Sequence, residues 1–333
     1  MDSLTQIVLG AGVAAAIGGK KYGRKSALLG AFAGTLPDLD VVLFLNASPV
    51  ESMTEHRGFS HSIVFCLFVT PILAWLISKI KKWNISFKDK TIHILLLCVL
   101  LTHIFLDAMT VYGTQIFWPR TTPPVGIASI FIIDLLYTLP LLGGLIWYLK
   151  TQSTRAVKIG LILSSVYLLW CFTVQQTITF HAKNQLGEQA QNYNILVQPT
   201  PFNSILWRIL VIEDNQYKVA YLSLFDENKN LSFETYPLNK DLLSPIKDQY
   251  APSRLEWFTK GFYGVKKVGQ KIIISDLRMG LEPDQYVFQF VVGKTSDGKI
   301  QTVPDVRHSD PRDFNRLSLI WQRILDETVQ LTN

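Results

Sequence analysis

The 333-residue, 37.7 kDa chain is 48% hydrophobic and only 17% charged, with a mean hydropathy of +0.22. An average soluble domain carries roughly 25% charged residues, so the composition excludes a simple soluble protein and a disordered one. The formal net charge of +6 lies wholly in residues 1–178, which hold 14 Lys/Arg against 8 Asp/Glu, whereas residues 179–333 hold 18 of each; a basic balance confined to the hydrophobic half gives no nucleic-acid-binding face.

In chain order, the first two apolar segments are Leu4–Gly18 and Ser26–Leu45, both rich in Gly and Ala. That composition suits helices that pack backbone to backbone in lipid. The second is interrupted by Pro37-Asp38-Leu39-Asp40. Ser60–Ile80, Ile92–Val111, Ile127–Leu149 and Ala156–Ile178 are each long enough to span a bilayer as helices. Twelve of the 14 basic residues fall in three loops, around Lys20–Lys25, Lys79–Lys90 and Lys150–Lys158. The positive-inside rule puts those loops in the cytoplasm and predicts six spans with both termini outside. Cys66, Cys98 and Cys171 lie in apolar runs and read as small buried hydrophobes.

Beyond the last span, Ile205–Glu213, Tyr217–Phe225, Lys271–Asp276 and Tyr286–Val292 are β-branched and aromatic runs bounded by turn signals. Helical patterns fit Asn239–Ile246 and Phe314–Leu325. The expected fold is a polytopic α-helical membrane bundle, residues 1–180, followed by a C-terminal soluble α+β domain, residues 181–333. The second domain is expected outside the cytoplasm, with residues 185–333 folding on their own.

Polar groups in membrane segments are costly, so their placement is informative. Gln6, Asp38, Asp40, His56, His61, His103, Asp107 and Asp134 all fall at the outer face of this topology. His103 and Asp107 are spaced i,i+4, which puts imidazole and carboxylate on one helix face. His56 and His61 flank a loop-to-helix junction containing Gly58, and Pro37 frees Asp38 and Asp40 from a helical ladder. Imidazoles with carboxylates suit Zn²⁺, or Mn²⁺ and Fe²⁺ where carboxylates dominate. Asp134 reads equally as a site residue or as a structural hydrogen-bond partner. His93 lies at the other end of its helix and reads as structural, while His181 and His308 have no paired ligand nearby in sequence.

The segments MDSLTQIVLG, GRKSALLGAFAGTLPDLDV, HRGFSHS and THIFLDAMTVYGTQIFWP, with the later Asp134-Leu-Leu-Tyr-Thr-Leu-Pro, resemble the YdjM-type family of membrane-bound metal-dependent hydrolases. These are LexA-regulated proteins of the bacterial inner membrane. The resemblance covers roughly residues 1–180 and implies a helical membrane bundle that hydrolyses its substrate at a divalent metal. Its PDxD acids fall on Asp38 and Asp40, its HRxxxH histidines on His56 and His61, and its HxxxD pair on His103 and Asp107. Many relatives carry histidine where this chain has Gln6, a poor zinc ligand, so that position is expected to orient water or substrate.

The expectation is therefore a metal held by His56, His61, His103 and Asp107, with Asp38 or Asp40 as further ligand or general base. Metal-activated water would be the nucleophile. Arg57 and Arg120 would hold a phosphate, and a site at the membrane–water boundary suits a phospholipid or lipid-linked phosphate ester. The rival readings are an ion or solute transporter and a non-catalytic envelope scaffold or receptor with a structural metal.

Overall fold

The computed structural model describes residues 1–310 and 315–331. Seven helices come first in the chain: α1 (Ser3–Tyr22), α2 (Arg24–Thr35), α3 (Pro49–Glu55), α4 (Ile63–Ser78), α5 (Lys90–Ala108), α6 (Leu135–Thr151) and α7 (Thr154–Leu186). The strands follow: β1 (Asn194–Pro199), β2 (Leu206–Glu213), β3 (Gln216–Ser223) and β4 (Glu234–Pro237). After α8 (Tyr250–Thr259) come β5 (Tyr263–Val268), β6 (Lys271–Asp276), β7 (Gly280–Leu281), β8 (Gln285–Tyr286), β9 (Gln289–Ser296), β10 (Lys299–His308) and α9 (Asn315–Leu325). Membrane helices followed by an antiparallel α+β part are the fold class the sequence led us to expect. Phe314, expected in the last helix, lies outside the described residues.

The chain forms two compact units: Met1–Leu43 with His56–Phe172, and Phe44–Glu55 with Thr173–Asn333. In the first, α1 and α2 are joined at Gly23 and touch backbone to backbone. A Cβ on Gly30 would stand 2.1 Å from the Gly10 carbonyl oxygen, so only glycine permits the contact. The faces turned away from the core remain apolar: Phe68 and Ile72 on α4, Ile162, Val166 and Leu169 on α7 are all exposed. Hydrophobic residues all round a helix fit a lipid solvent.

Among the described residues, four helical stretches are long and apolar enough to cross a membrane: Ser3–Tyr22, Arg24–Phe44, Lys90–Ala108 and Thr154–Asn192. A fifth arises if the broken pair Pro49–His61 and Ile63–Ser78 counts as one. The remaining expected span, Ile127–Leu149, is corrected: its helix is the 17-residue α6, starting at Leu135. Residues before it stay non-helical because their amides bond the end of α5, Ile127 N to Ala108 O (2.8 Å) and Ser129 N to Met109 O (2.9 Å).

In the second unit, β1–β4 form an antiparallel meander, and the other main sheet runs β10-β9-β6-β5. β2 is buried on both faces. Trp207, Ile209 and Val211 pack with α7 residues Val174 and Ile178, while Leu210 joins Phe262 and Leu277. Its buried charge, Arg208, is paired with Glu282 inside the core. The expected helix Asn239–Ile246 is corrected to a short 3-10 turn, Lys240–Leu243, with Asn239 outside it at φ 51°, in the left-handed region. α3 belongs to this unit: Val50 N donates to Asp305 (2.8 Å), and Arg254 of α8 bonds Thr54 and Glu55.

Candidate metal centre

The centre is built where α2 gives way. α2 ends at Thr35 and Pro37 opens a 3-10 stretch, Pro37–Phe44, whose first turn holds Asp38 and Asp40. The chain re-enters through Arg57, held at φ 63° with its amide on Asp40 Oδ2 (3.1 Å) and its carbonyl accepting from Gln115 N (2.9 Å). This left-handed residue, not Gly58, makes the sharp turn, a strain that the surrounding bonds hold in place. His61 then ends a second 3-10 turn, Phe59–His61, rather than beginning a helix; α4 starts at Ile63 with Ser62 as its cap.

Asp38, His61, His103 and Asp107 offer ligand atoms that all lie within 4.8 Å of one another. His61 Nε2 is 3.2 Å from His103 Nε2 and 3.3 Å from both Asp38 Oδ1 and Asp107 Oδ2. His103 Nε2 is 3.5 Å from Asp38 Oδ1 and 3.4 Å from Asp107 Oδ2. Asp38 is the partly exposed member, with 19% of its side chain open, while the other three are buried.

Hydrogen bonds on the far side of each ring fix the tautomers. His103 Nδ1 is 2.7 Å from Gly34 O, which can only accept, so Nδ1 carries the proton. Ser60 Oγ gives its own proton to Asp40 Oδ2 (2.7 Å), so His61 Nδ1, 2.9 Å from Ser60 Oγ, must donate to that hydroxyl oxygen. With both rings neutral, the two Nε2 lone pairs face each other across 3.2 Å, next to two carboxylates. Asp107 Oδ2 is buried and has no hydrogen-bond partner. Facing acceptors without a donor are repulsive in a protein interior, and a cation between them removes the repulsion. The donor set thus fits a divalent metal ion.

The structure brings His61, His103, Asp107 and Asp38 together, but not His56. His56 Nδ1 sits on Asp40 Oδ1 (2.7 Å), and its ring stands edge-on to His61 with centroids 5.9 Å apart. Asp40 points to His56, Ser60 and the Arg57 amide, one layer behind the cluster. Arg57 is 3% exposed; its Nε lies 3.4 Å from Asp107 Oδ2 and its Nη1 donates to Thr110 Oγ1 (3.2 Å). Gln6 donates to Asp107 Oδ1 (3.0 Å) and His103 O (3.3 Å), which a reading of its position alone left open. The Met1 amino group also meets Asp107 Oδ1.

Asp134 caps α6, accepting from Tyr137 N (3.1 Å) and Tyr167 Oη (2.8 Å), the structural alternative. His93 bonds Phe87 O, His181 bonds Lys229 O and His308 meets Asp310, each within its own surroundings. Ser60, like the Gly34 carbonyl, is a contributor that sequence spacing missed. Its signal was its place just before His61, where a hydroxyl can bridge a ring nitrogen to a carboxylate.

A family model described as YdjM inner membrane protein matches residues 1–178. The chain is 27% identical over 234 residues to Uncharacterized protein YfhP of Bacillus subtilis (strain 168), covering 66% of this chain and 68% of that protein. It is 33% identical over 104 residues to Inner membrane protein YbcI of Escherichia coli (strain K12), covering 31% of this chain and 57% of that protein. No solved structure matches the chain.

Proposed function

The chain belongs to the YdjM inner membrane protein family, and on that footing we propose that it is a membrane-embedded, metal-dependent hydrolase. The observation that carries the reading is the four-donor cluster, its ligand atoms all within 4.8 Å of one another, in which Asp107 Oδ2 accepts no hydrogen bond. Asp38, His61, His103 and Asp107 hold the ion, zinc first for a set with two imidazoles. A divalent cation there supplies Lewis-acid polarisation of the bond under attack and lowers the pKa of water at the site.

The remaining roles belong to the chain itself. Asp40 and Ser60 hold His61 in its ligating tautomer. His56, fixed through Nδ1 on Asp40, keeps Nε2 to exchange a proton with water or leaving group. Arg57 places a buried positive charge beside Asp107, suited to an anionic substrate group. The bilayer setting and that charge favour an amphipathic phosphate ester, such as a phospholipid or lipid-linked phosphate, approached from the outer face.

Metal analysis of the purified protein, followed by a screen of phospholipids and phosphodiesters, tests this. Bound metal with turnover is expected, and His103→Ala is expected to lose both while His93→Ala keeps both. A protein that binds no divalent metal, or binds it and turns over no ester, would sink the hydrolase reading.

A further inference from the structure

At the end of the first unit remote from the metal centre lies a cavity of about 860 Å³. On α1 its lining residue Lys21 is fifteen positions from Gln6, about 22 Å along the helix. Lys21, Lys25, Lys88 and Lys90 line it, from the end of α1, the start of α2 and the approach to α5. One carboxylate shares it, Asp89, already engaged by Lys21 Nζ (2.6 Å), by the Tyr22 hydroxyl and by the Thr91 amide that it caps. Lys88 and Lys90 are exposed, and Lys25 meets only the Trp83 carbonyl, at 3.4 Å. Residues 18–37, 79–90 and 150–158 contain no other acid. Three lysine charges are thus left to a concave surface that also presents the side chains of Asn84 and Ser86 as neutral donors.

Apolar groups stand close by. Trp83 lines the cavity half-buried, and Ile80, Phe87 and, one turn into α5, Ile94 are 42%, 42% and 53% exposed. A tryptophan beside a lysine cluster at a helix end marks the headgroup level of a bilayer. Lysines that only orient a membrane protein need no common concavity, whereas these converge from three elements on one. An inorganic phosphate would leave most of this volume empty, and a lipid headgroup with its glycerol would not. Basic pockets between helix ends are a recurring way of holding acidic headgroups.

We propose that this cavity binds the phosphate headgroup of an anionic phospholipid, whose acyl chains lie along the exposed apolar residues beside it. The site is separate from the metal centre and does not depend on hydrolysis.

The test is native mass spectrometry of the full-length protein in detergent, with phosphatidylglycerol or phosphatidylcholine added. The wild type is expected to retain phosphatidylglycerol preferentially, and the triple variant K25Q/K88Q/K90Q to lose that preference by about tenfold or more. The control triple K79Q/K81Q/K82Q removes equal charge from lysines outside the cavity and should keep it; equal loss in both variants would mean net charge and not a site. Unfolding temperatures of both variants establish that they are folded. No headgroup preference in the wild type, or a preference that survives K25Q/K88Q/K90Q, overturns the proposal. Displacement by an equimolar amount of inorganic phosphate also overturns it, by assigning the cavity to a soluble anion.

Discussion

His103 contributes to the cluster only because Gly34 stands behind it. The carbonyl takes the Nδ1 proton and turns the Nε2 lone pair inward, the arrangement by which backbone or carboxylate groups prepare imidazoles for metals. Asp40 performs the same service for His61 through Ser60. Asp40→Asn is therefore expected to weaken metal affinity by about 10–100-fold while leaving the protein folded, as a metal titration beside a thermal melt would show. In sequence His56 and His61 were equivalent, two histidines around one turn. What separated them was the return of Asp38 and Asp40 from an earlier segment, a tertiary event without local signal. The i,i+4 pair His103 and Asp107 needed no such event and was legible at once. A different residue contributes to the alkaline pH response of the second unit. Burial, with the charge of Arg278 nearby, pushes the Lys260 amine down from 10.5 to about 8. Between those values the unfolded chain binds the proton that the folded one has released, so stability rises with pH across that window. Below about pH 8 the cost of charging a desolvated amine is fully present. Lys260→Met is expected to raise the melting temperature at neutral pH and to gain much less near pH 10; an equal gain at both would show that the amine is not desolvated.

Among elements, the α1–α2 pair is the most demanding. Gly10, Gly30 and Gly34 line a contact in which added Cβ atoms would meet carbonyl oxygens or backbone carbons. Gly30→Ala is expected to cost about 1–3 kcal/mol or more and to lower metal affinity as well, because Gly34 one turn on would carry its carbonyl away from His103. A melt and a metal titration read the two effects. Gly143→Ala on α6 meets nothing within 4 Å and should change neither. The small-residue composition made this packing legible from sequence, as the β-branched and aromatic run bounded by turn signals made β2 legible. α8 was not, since Pro252 reads as a breaker; it sits in the helix's first turn, where no intrahelical amide bond is lost. β10 carries Pro304 and many polar side chains and gives no clear strand signal. Residues 127–134 were apolar enough to extend a helix, and only their bonds to the end of α5 prevent it.

For the molecule as a whole, orientation follows from the lysine loops. A reporter fused after Ile178 is expected to be extracytoplasmic and one within Lys81–Lys90 cytoplasmic; reversed labelling would turn the proposed site inward. The boundary of the second unit carries a further expectation, because α3 lies outside residues 185–333. Residues 173–333 alone are expected to melt at a lower temperature than the same fragment with residues 44–55 tethered to it. Identical melts would mean that the bonds of Val50, Thr54 and Glu55 contribute nothing. That same α3 sets a timetable for the ribosome. Thr54 leaves the exit tunnel 200 residues before Arg254 and Val50 leaves 255 before Asp305. At roughly 5–20 residues per second, α3 waits on the order of 10–50 seconds for the surfaces that bury Val50 and Met53. During that interval Val50 and Met53 stay unburied on a short helix between two membrane segments, open to a chaperone or to the bilayer surface. Synonymous codon changes that slow translation between residues 60 and 250 would lengthen this exposure without altering a single side chain.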